Sequence, residues 1–393
     1  MKVLVVHTIY KLKGGEDSVV DNEIELLRSN GVEVELLQFS NSGYTFLKVI
    51  QLPFNLSSYI KTKNRLKLFK PDLVHIHNMH FAGSPSVVYA VHQSKTPFVI
   101  TLHNYRLICP SATLFYKGKI FTDSLNEVFS WQAVIKGVYL NSIFLTFWVA
   151  CSQLIHEVLG TWKLSNKYIA LGQYTKEIFK NSKLSYIVPK IIIKPNFCYQ
   201  NPNPKKLAGN YYLYVGRLSD EKGIITLLSA FSENKLPLKI AGTGPLEPEV
   251  IKYNNEFNNI EFLGSVNKEE VNDLLTNAIA LIFPSQWYET FGMVIIEAFS
   301  SGLPVIAADM GQLKITIQNK VNGLCFESGN KDDLNEKVAY FESLTYDEKQ
   351  AYRTNAYKCY AEHYSPQKNA VELLRIYDTL LCDTVNVVKL SSI

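Results

Sequence analysis

The chain has 393 residues, of which 47% are hydrophobic and 19% are charged, a balance that excludes an intrinsically disordered protein. This length exceeds what one hydrophobic core usually serves, so we expect two domains of roughly 150–200 residues each. The net charge of +4 hides an asymmetry, because residues 1–195 carry 22 Lys+Arg and 12 Asp+Glu (net +10), whereas residues 196–393 carry 18 and 24 (net −6). The two halves are therefore suited to different partners.

The basic charge of the first half is concentrated in one segment. No acid occurs between Glu35 and Asp72, and basic residues alternate there with aromatic and aliphatic ones. The basic residues are Lys48, Lys61, Lys63, Arg65, Lys67 and Lys70. Such a segment resembles a surface that rests on anionic lipid headgroups, so we expect peripheral membrane contact through residues 44–70. A solvated helix face with an adjoining loop explains the same composition.

Cysteine usage and apolar stretches indicate the compartment. The six cysteines form no CxxC pair and no metal-type spacing, which favours a reduced, cytoplasmic protein. The N-terminus MKVLVVHTIYK has too short an apolar core for a signal peptide and predicts a first strand. Residues 134–150 are the most apolar stretch, but polar residues interrupt it and it is shorter than the ~20 residues of a membrane span. A buried or membrane-docking helix is expected there, in a protein at the inner face of the membrane.

Short apolar strands alternate with amphipathic segments along the whole chain, which is typical of βαβ units and parallel sheets. In the first half the predicted strands are KVLVVH, VEVELLQF, LVHIHN, FVITLH, WVAC and KYIALG, with a helix over Asp17–Ser29 after the first of them. The second half begins a new series, YYLYVG, LKIAG, IEFLG, ALIFPS, PVIAAD and GLCFE, with helices between most of them.

Two such series predict an α/β chain of two Rossmann-like, doubly wound parallel-sheet domains. The segment 187–204 has four prolines in 18 residues and is predicted to link them. We expect an N-terminal domain over 1–190, joined by the C-terminal segment 367–393, which begins as a helix to about residue 381, and a second domain over 191–366. Ligands bind at the carboxyl ends of strands in such sheets, so domains that face a central cleft would hold a ligand there.

The stretch YVGRLSDEKG joins a predicted strand to a predicted helix. Gly216, Arg217 and Lys222 lie in this loop, near the free N–H groups of a helix that begins around Gly223. Two cations beside a helix N-terminus favour a diphosphate ligand. The same residues could simply cap an ordinary loop.

The stretch ETFGMVIIE belongs to another predicted strand–loop–helix unit. Glu289 falls in the loop, while Gly292 would let the backbone of Phe291 and Met293 approach a ligand. Glu297 falls about one and a half turns into the helix. A carboxylate accepts hydrogen bonds from two vicinal hydroxyls, so the two acids suit two sugars of one ligand. Alternatively, they are a loop acid and a solvated helix residue.

The order strand–GRLxxEKG–helix, then ExFGxxxxEAxxxGxPV about seventy residues later, resembles the family-4 retaining glycosyltransferases (glycosyl transferases group 1) with the GT-B fold. The resemblance extends over essentially the whole chain. It implies that Arg217 and Lys222 bind the donor diphosphate, that Glu289 lies at the transferred sugar, and that Glu297 binds the nucleotide ribose.

The first half fits the same family. Gly14 and Gly15 follow the first strand, as does the family's glycine-rich loop beside the donor diphosphate and acceptor, although a GG pair can also be a plain turn. TLHNYRLICP resembles the family's TLH(D/N)Y segment, which implies that His103 lies near the donor sugar. The alternative for His103 is a strand-end histidine with a structural hydrogen bond.

The three histidines of LVHIHNMH, at positions 75, 77 and 80, raise the question of a metal site. We expect none, because a strand is taken to point these histidines to opposite faces and the family has similar segments without a metal. No DxD sequence occurs in the chain, so the paired-acid metal clamp of the other large glycosyltransferase fold is missing. No cofactor is expected.

Two departures from the family pattern concern the substrates. Residues 310–314, MGQLK, replace the family's usual glycine pair and PE, which puts the donor contact there in doubt, and a cysteine-rich insert of some relatives is absent. The resemblance implies retaining, metal-independent hexosyl transfer by front-face attack. It implies a UDP- or GDP-sugar as donor and a glycan or lipid-linked acceptor in polysaccharide assembly. No nucleic-acid partner is expected.

Other functions have less support, because GRLxxEKG with ExFGxxxxE is the transferase pattern and Arg217, Lys222, Glu289 and His103 are all present. These functions are a non-catalytic nucleotide-sugar-binding subunit, a nucleotide-sugar 2-epimerase, a glycosyl phosphorylase and a nicotinamide-dependent oxidoreductase. The last would require GxGxxG after the first strand, where the chain has KLKGGEDS.

Overall fold

The computed structural model describes residues 1–9, 14–41, 49–201 and 209–390, with backbone alone for 384–390. The chain divides into two compact units. Unit 1 comprises Met1–Leu114, Thr122–Asn196 and Gln367–Ile393, and unit 2 comprises Phe115–Phe121 and Phe197–Pro366.

Helices and strands alternate through the described residues. The first half contains β1 Lys2–Ile9, α1 Gly15–Ser29, β2 Glu33–Ser40, α2 Leu56–Phe69, β3 Leu73–Ile76, α3 Ser86–Gln93, β4 Phe98–Leu102, β5 Phe115–Tyr116, β6 Lys119–Ile120, α4 Trp131–Lys136, α5 Ile143–Val158, β7 Lys167–Ala170, α6 Gln173–Lys180 and β8 Ile191–Ile193. The second half contains β9 Tyr212–Val215, α7 Ile224–Asn234, β10 Leu238–Ala241, α8 Glu247–Glu256, β11 Ile260–Gly264, α9 Lys268–Thr276, β12 Leu281–Phe283, α10 Met293–Ser300, β13 Val305–Ala308, α11 Leu313–Thr316, β14 Gly323–Phe326, α12 Lys331–Ser343, α13 Tyr346–His363 and α14 Pro366–Leu390.

Unit 1 is built on a parallel sheet in the order β2-β1-β3-β4-β7-β8. Its central strands β1, β3 and β4 are buried along most of their length, as in a parallel sheet with helices on both faces, whereas the edge strand β2 alternates between buried and exposed residues. The C-terminal helix α14 contributes to this core through residues at helical spacing, and α1 packs in the same cluster. These residues of α14 are Leu373, Ile376, Tyr377 and Leu380.

Unit 2 repeats the plan with a parallel sheet in the order β11-β10-β9-β12-β13-β14. The strand order reverses at β1/β3 in unit 1 and at β9/β12 in unit 2. Such switch points are where loops at the carboxyl ends of strands separate and leave room for a ligand. The predicted α/β class with two doubly wound parallel sheets is confirmed.

The predicted strand WVAC is wrong, because residues 148–151 lie inside helix α5. A short apolar run does not distinguish a strand from a helix, and here Ser142 caps a 16-residue helix by accepting a hydrogen bond from the N–H of Leu145. The predicted helical stretch 134–150 is also interrupted: Gly137, Leu140 and Asn141 have positive φ angles and separate α4 from α5.

The predicted linker 187–204 is only partly a linker. Its residues Ile191–Ile193 form β8, which pairs with β7 at the edge of the sheet of unit 1. In the described part of the chain, every helix is too short or too polar to cross a membrane.

Candidate active site

The loop after β9 is held in place by a side chain of that strand. The hydroxyl of Tyr214 donates to the carbonyl of Arg217 (2.8 Å), and the side chain of Arg217 is exposed. A 3-10 turn over Asp220–Lys222 leads into α7 through Gly223, whose φ is +72°. A Cβ at Gly223 would lie 1.9 Å from the carbonyl oxygen of Pro284, so only glycine lets this loop cross the end of β12.

Lys222 and Glu289, which were predicted as site residues from separate motifs, are in direct contact. Nζ of Lys222 lies 2.5 Å from Oε1 of Glu289, and the hydroxyl of Ser285 donates to the same oxygen at 2.7 Å. Glu289 is 4% exposed, whereas the lysine side chain is 22% exposed and lies over the rings of Phe283 and Trp287. An ammonium group at the mouth of the site therefore balances a buried carboxylate.

The loops after β9 and β12 are joined by backbone contacts that the motifs did not reveal. The carbonyl of Glu221 accepts a hydrogen bond from the N–H of Gln286 (2.8 Å) and lies 3.3 Å from the hydroxyl oxygen of Ser285, whose one proton is directed to Glu289 at the shorter distance. Ser285 therefore lies between Glu221 and Glu289. Its position at the carboxyl end of β12 was the available signal, since ligands bind at that edge of the sheet.

Gly292 caps helix α10 with φ +89°, a conformation that other residues rarely adopt. Phe291 before it is buried against the ring of Tyr364. Met293 begins the helix, and Glu297 is its fifth residue, partly exposed. Burial raises the pKa of Glu297 against the attraction of Lys268. This arrangement leaves a carboxylate beside a helix N-terminus in unit 2.

The departure MGQLK forms the turn into the short helix α11. Lys314 lies 3.3 Å from Asp309 at the end of β13, and the side chain of Gln312 is buried. This turn thus keeps a polar loop at the same edge of the sheet.

In unit 1, Gly14 caps α1 and Gly15 is its first residue. The N–H of Gly14 donates to Oδ2 of Asp17 (2.8 Å), and Oδ1 of Asp17 contacts Nε2 of His7 (2.8 Å). His7 and Asp17 are both buried. They were not predicted as site residues, and they fix the start of α1 at the switch point of this sheet.

His75 and His77 converge on a buried carboxylate from α1. Oε1 of Glu23 lies 3.1 Å from Nδ1 of His75 and 3.1 Å from Nε2 of His77, while its Oε2 lies 3.1 Å from Nζ of Lys194. The prediction that these histidines point to opposite faces is wrong, because side chains two residues apart in a strand share a face. His80 lies elsewhere, with Nε2 2.9 Å from Nη1 of Arg106.

Glu23, His75 and His77 have the residue types of a metal site, with ligand atoms within 4.8 Å of one another. However, the ammonium of Lys194 already supplies a positive charge to the carboxylate. Both ring nitrogens of His75 are also engaged, at 2.7 Å from the hydroxyl of Tyr377 and 2.7 Å from that of Thr101. The set is arranged as a hydrogen-bonded ion pair, and a metal would have to displace these partners.

The charges of this cluster follow from its burial. Burial alone would raise the pKa of Glu23, but Lys194, His75 and His77 outweigh it and hold the pKa well below its usual value. Burial, with the repulsion of His75, lowers the pKa of His77 to about 4. Glu23 is therefore ionised while His77 is neutral at pH 7.

His77 connects this ion pair to His103. Nδ1 of His77 lies 3.0 Å from Nε2 of His103, and the two rings are stacked with centroids 5.3 Å apart. Burial lowers the pKa of His103 well below its usual value, with His77 as the next cause, so both rings are neutral. One of these two ring nitrogens donates to the other, so His77 links the ring of His103 to the buried carboxylate of Glu23.

Comparison with known proteins connects these observations to a family. Residues 199–359 match the model of the family described as glycosyl transferases group 1. The chain is 25% identical over 397 residues to an uncharacterized glycosyltransferase of Methanocaldococcus jannaschii, with 97% of this chain and 99% of that protein covered. It is 29% identical over 181 residues to the O-antigen chain mannosyltransferase C of Escherichia coli, covering 44% and 48%.

Solved structures show the same fold at low sequence identity. Sucrose-phosphate synthase from Thermosynechococcus elongatus superposes with a TM-score of 0.71 at 15% identity, covering 97% of this chain and 99% of that one. HepE of Anabaena, solved in complex with UDP, superposes with a TM-score of 0.66 at 15% identity, covering 96% and 100%. The architecture of both units is therefore that of GT-B proteins.

Proposed function

We propose that this chain, which belongs to the glycosyl transferases group 1 family and has the GT-B fold, is a retaining hexosyltransferase that needs no metal ion. It moves a hexosyl group from a nucleoside-diphosphate sugar to a glycan or lipid-linked acceptor in polysaccharide assembly. The contact of Lys222 with Glu289, beside Arg217 at the switch point of unit 2, is the observation that supports the proposal most.

In this proposal Arg217 and Lys222 act on the leaving group. Negative charge grows on the nucleoside diphosphate as the glycosidic bond breaks, and two cations beside the loop after β9 stabilise it. The backbone N–H groups around Gly216 and at the start of α10, near Gly292 and Met293, add donors. Arg217 is exposed, so its guanidinium is accessible to a phosphate.

Glu289 positions the transferred sugar and is no covalent nucleophile in this scheme. When a diphosphate attracts Lys222, the buried carboxylate of Glu289 is released to accept hydrogen bonds from sugar hydroxyls, while Ser285 keeps it oriented. The leaving phosphate oxygen then takes the proton of the acceptor hydroxyl on the same face. Glu297, in α10, accepts from the ribose hydroxyls.

In unit 1, the neutral ring of His103 hydrogen-bonds a hydroxyl of the substrate. His77 supports this role because its ring contacts that of His103 and holds it in place. The start of α1, at Gly14 and Gly15, offers backbone N–H groups to the substrates.

The comparisons support a donor class and an acceptor class for this proposal. HepE of Anabaena was solved with UDP and with UDP-glucose, which makes a UDP-sugar the first donor to test, with GDP-sugars next. The E. coli relative acts on an O-antigen chain, which favours a polysaccharide acceptor.

The test is calorimetric binding of a panel of nucleotide sugars in the presence of EDTA, followed by transfer and hydrolysis assays. We expect one diphospho-sugar to bind, Arg217→Ala to abolish this binding, and Lys252→Ala, at another exposed cation of unit 2, to leave it unchanged. Loss of binding or transfer in EDTA would overturn metal independence. Binding without any turnover or hydrolysis would favour a non-catalytic nucleotide-sugar-binding subunit.

We also propose that unit 1 rests on the inner face of a membrane. Helix α2 exposes Leu56, Ile60 and Leu68 among its lysines, while it buries Ser58 and Thr62. This part of the segment 44–70 therefore combines apolar and basic groups outward, as anionic lipid requires. Residues 44–48 lie outside the described residues.

Helix α5 adds an apolar face to the same unit. Ile143, Phe144 and Val158 are 61%, 65% and 76% exposed. We expect cosedimentation with vesicles of anionic phospholipid at low salt, lost on Lys63→Glu with Lys67→Glu and weakened by Phe144→Ser. Equal sedimentation of these variants with the wild type would refute the proposal.

A further inference from the structure

A cavity in unit 1 lies between the ends of β3 and β4 and the inner face of α5. The cavity has a volume of about 90 Å³ and opens to solvent at its mouth, so a ligand held here would place one polar group inside and the rest in the mouth. His103 lines it, so the cavity adjoins the unit 1 residue that the proposed function uses. The other polar groups that matter here are His80, Arg106, Ser152, Gln153 and His156.

Arg106 brings a positive charge to this cavity without a carboxylate partner among the described residues. Its Nη1 lies 2.9 Å from Nε2 of His80, its guanidinium lies over the ring of Tyr139, and its Nε is buried with no described partner. The stretches outside the described ranges contain no Asp or Glu in their sequence, so they supply no such partner either. A partly buried guanidinium with neutral neighbours is suited to an anionic ligand.

The imidazole rings that line the cavity add no charge to that of Arg106. Burial, together with the charge of Arg106, lowers the pKa of His80 well below its usual value, so its ring is neutral. Burial also lowers the pKa of His156, whose Nε2 lies 2.7 Å from the carbonyl of Pro53. The cavity thus has one fixed charge, that of Arg106.

Gln153 supplies a second, different ligand group. Its side chain is 7% exposed and lines the cavity. Its Nε2 donates to the carbonyl of Arg106 (2.5 Å), which orients the amide. The other end, Oε1, is buried without a partner among the described residues. A buried acceptor of this kind is costly unless a donor reaches it, and a hydroxyl is such a donor.

We propose that this cavity binds a glycosyl phosphate group, with Arg106 donating to the phosphate and Gln153 accepting from a neighbouring sugar hydroxyl. The proposal rests on the proposed function and deepens it, because it names the acceptor as one that carries a phosphate beside a sugar. Gln153 belongs to none of the motifs that indicated the family, and Arg106 directly follows the TLHNY part of TLHNYRLICP.

The test uses the full chain with Arg217→Ala, so that the diphosphate loop of unit 2 does not compete for phosphate. α-D-Glucose 1-phosphate, inorganic phosphate and glucose are titrated by calorimetry. We expect glucose 1-phosphate to bind at least tenfold more tightly than phosphate, and glucose not to bind. In the Arg217→Ala background, Arg106→Met should abolish the binding of both glucose 1-phosphate and inorganic phosphate. Arg106→Lys should retain weaker binding of both.

Gln153→Leu separates the two halves of the proposal. This variant should lower the affinity for glucose 1-phosphate to that for inorganic phosphate. The affinity for inorganic phosphate should be the same as without the substitution. Unchanged binding in Arg106→Met would overturn the site, and equal affinities with no effect of Gln153→Leu would overturn its sugar-binding half. UDP binding by the Arg106→Met variant with Arg217 intact reports separately on unit 2, so failure of the donor site is distinguishable.

Discussion

His77 predicts a specific sensitivity of unit 1 to acid. Its ring is buried, and its pKa is lowered from 6.5 to about 4. Between these values the unfolded chain binds a proton that the folded chain excludes, so stability falls as the pH drops below 6.5 and the loss is complete below 4. The full effect is about 3.4 kcal/mol, of which about 2 kcal/mol is lost between pH 7 and pH 5.

His77→Asn tests this effect, because an asparagine side chain offers both a donor and an acceptor to Nε2 of His103 but does not titrate. The groups that face His77 are Glu23 from α1, His75 beside it on β3, His7 from β1 and His103 after β4. These groups remain in the variant, and the loss of His77 also changes the pKa values of Glu23 and His103, so the difference between wild type and His77→Asn reports on His77 and its coupling to them.

The assay is urea unfolding at pH 7.0 and 5.0, followed by tryptophan fluorescence. Of the four tryptophans, only Trp287 lies in unit 2, and the other three lie in unit 1. In a Trp287→Phe background, tryptophan fluorescence therefore reports on the unfolding of unit 1. Wild type should lose about 2 kcal/mol more than His77→Asn between the two pH values, and His92→Asn, at an exposed histidine, should behave like wild type. Equal losses in wild type and His77→Asn would refute a neutral, buried His77.

Three further predictions concern the proposed chemistry. Gly223→Ala should destabilise unit 2 by about 3 kcal/mol, measured by Trp287 fluorescence, because its Cβ would meet the carbonyl of Pro284 at positive φ. Glu289→Gln should lower kcat about a hundredfold, and Ser285→Ala, which removes one orienting hydrogen bond, about fivefold; near-normal turnover of the first would contradict a need for its charge. His103→Phe should lower transfer about tenfold in kinetics while UDP binding is unchanged.

The strands and the unit 2 loops were accessible to sequence reasoning for a common reason. Each predicted strand of unit 2 is a short apolar run that ends at a glycine, proline or acid, and a parallel sheet places the loops after its strands at one edge. Lys222 and Glu289 could therefore be assigned to the same edge before their contact was known. Their direct ion pair, and the role of Ser285 in it, depend on side-chain packing and could not.

The cluster around Glu23 could be predicted only in part. Glu23 lies three residues after Val20 and four before Leu27, on the apolar stripe of α1, which was a signal of a buried acid. Its partner Lys194 is 171 residues away, so no local pattern joins them. The prediction that His75 and His77 point to opposite faces was avoidable, because residues two apart in a strand lie on the same face.

Helix α5 shows why the site in unit 1 was missed. Its sequence is mostly apolar and predicts burial, but the face it buries carries Thr146, Ser152, Gln153 and His156. Two of them are held by hydrogen bonds to backbone carbonyls. His156 bonds to the carbonyl of Pro53, and Gln153 bonds to the carbonyl of Arg106. These hydrogen bonds to backbone carbonyls hold the polar side chains of the helix inward. The same orientation places Gln153 in the cavity and the apolar face outward. The proposed ligand site and the proposed membrane surface therefore both follow from the way helix α5 packs in unit 1.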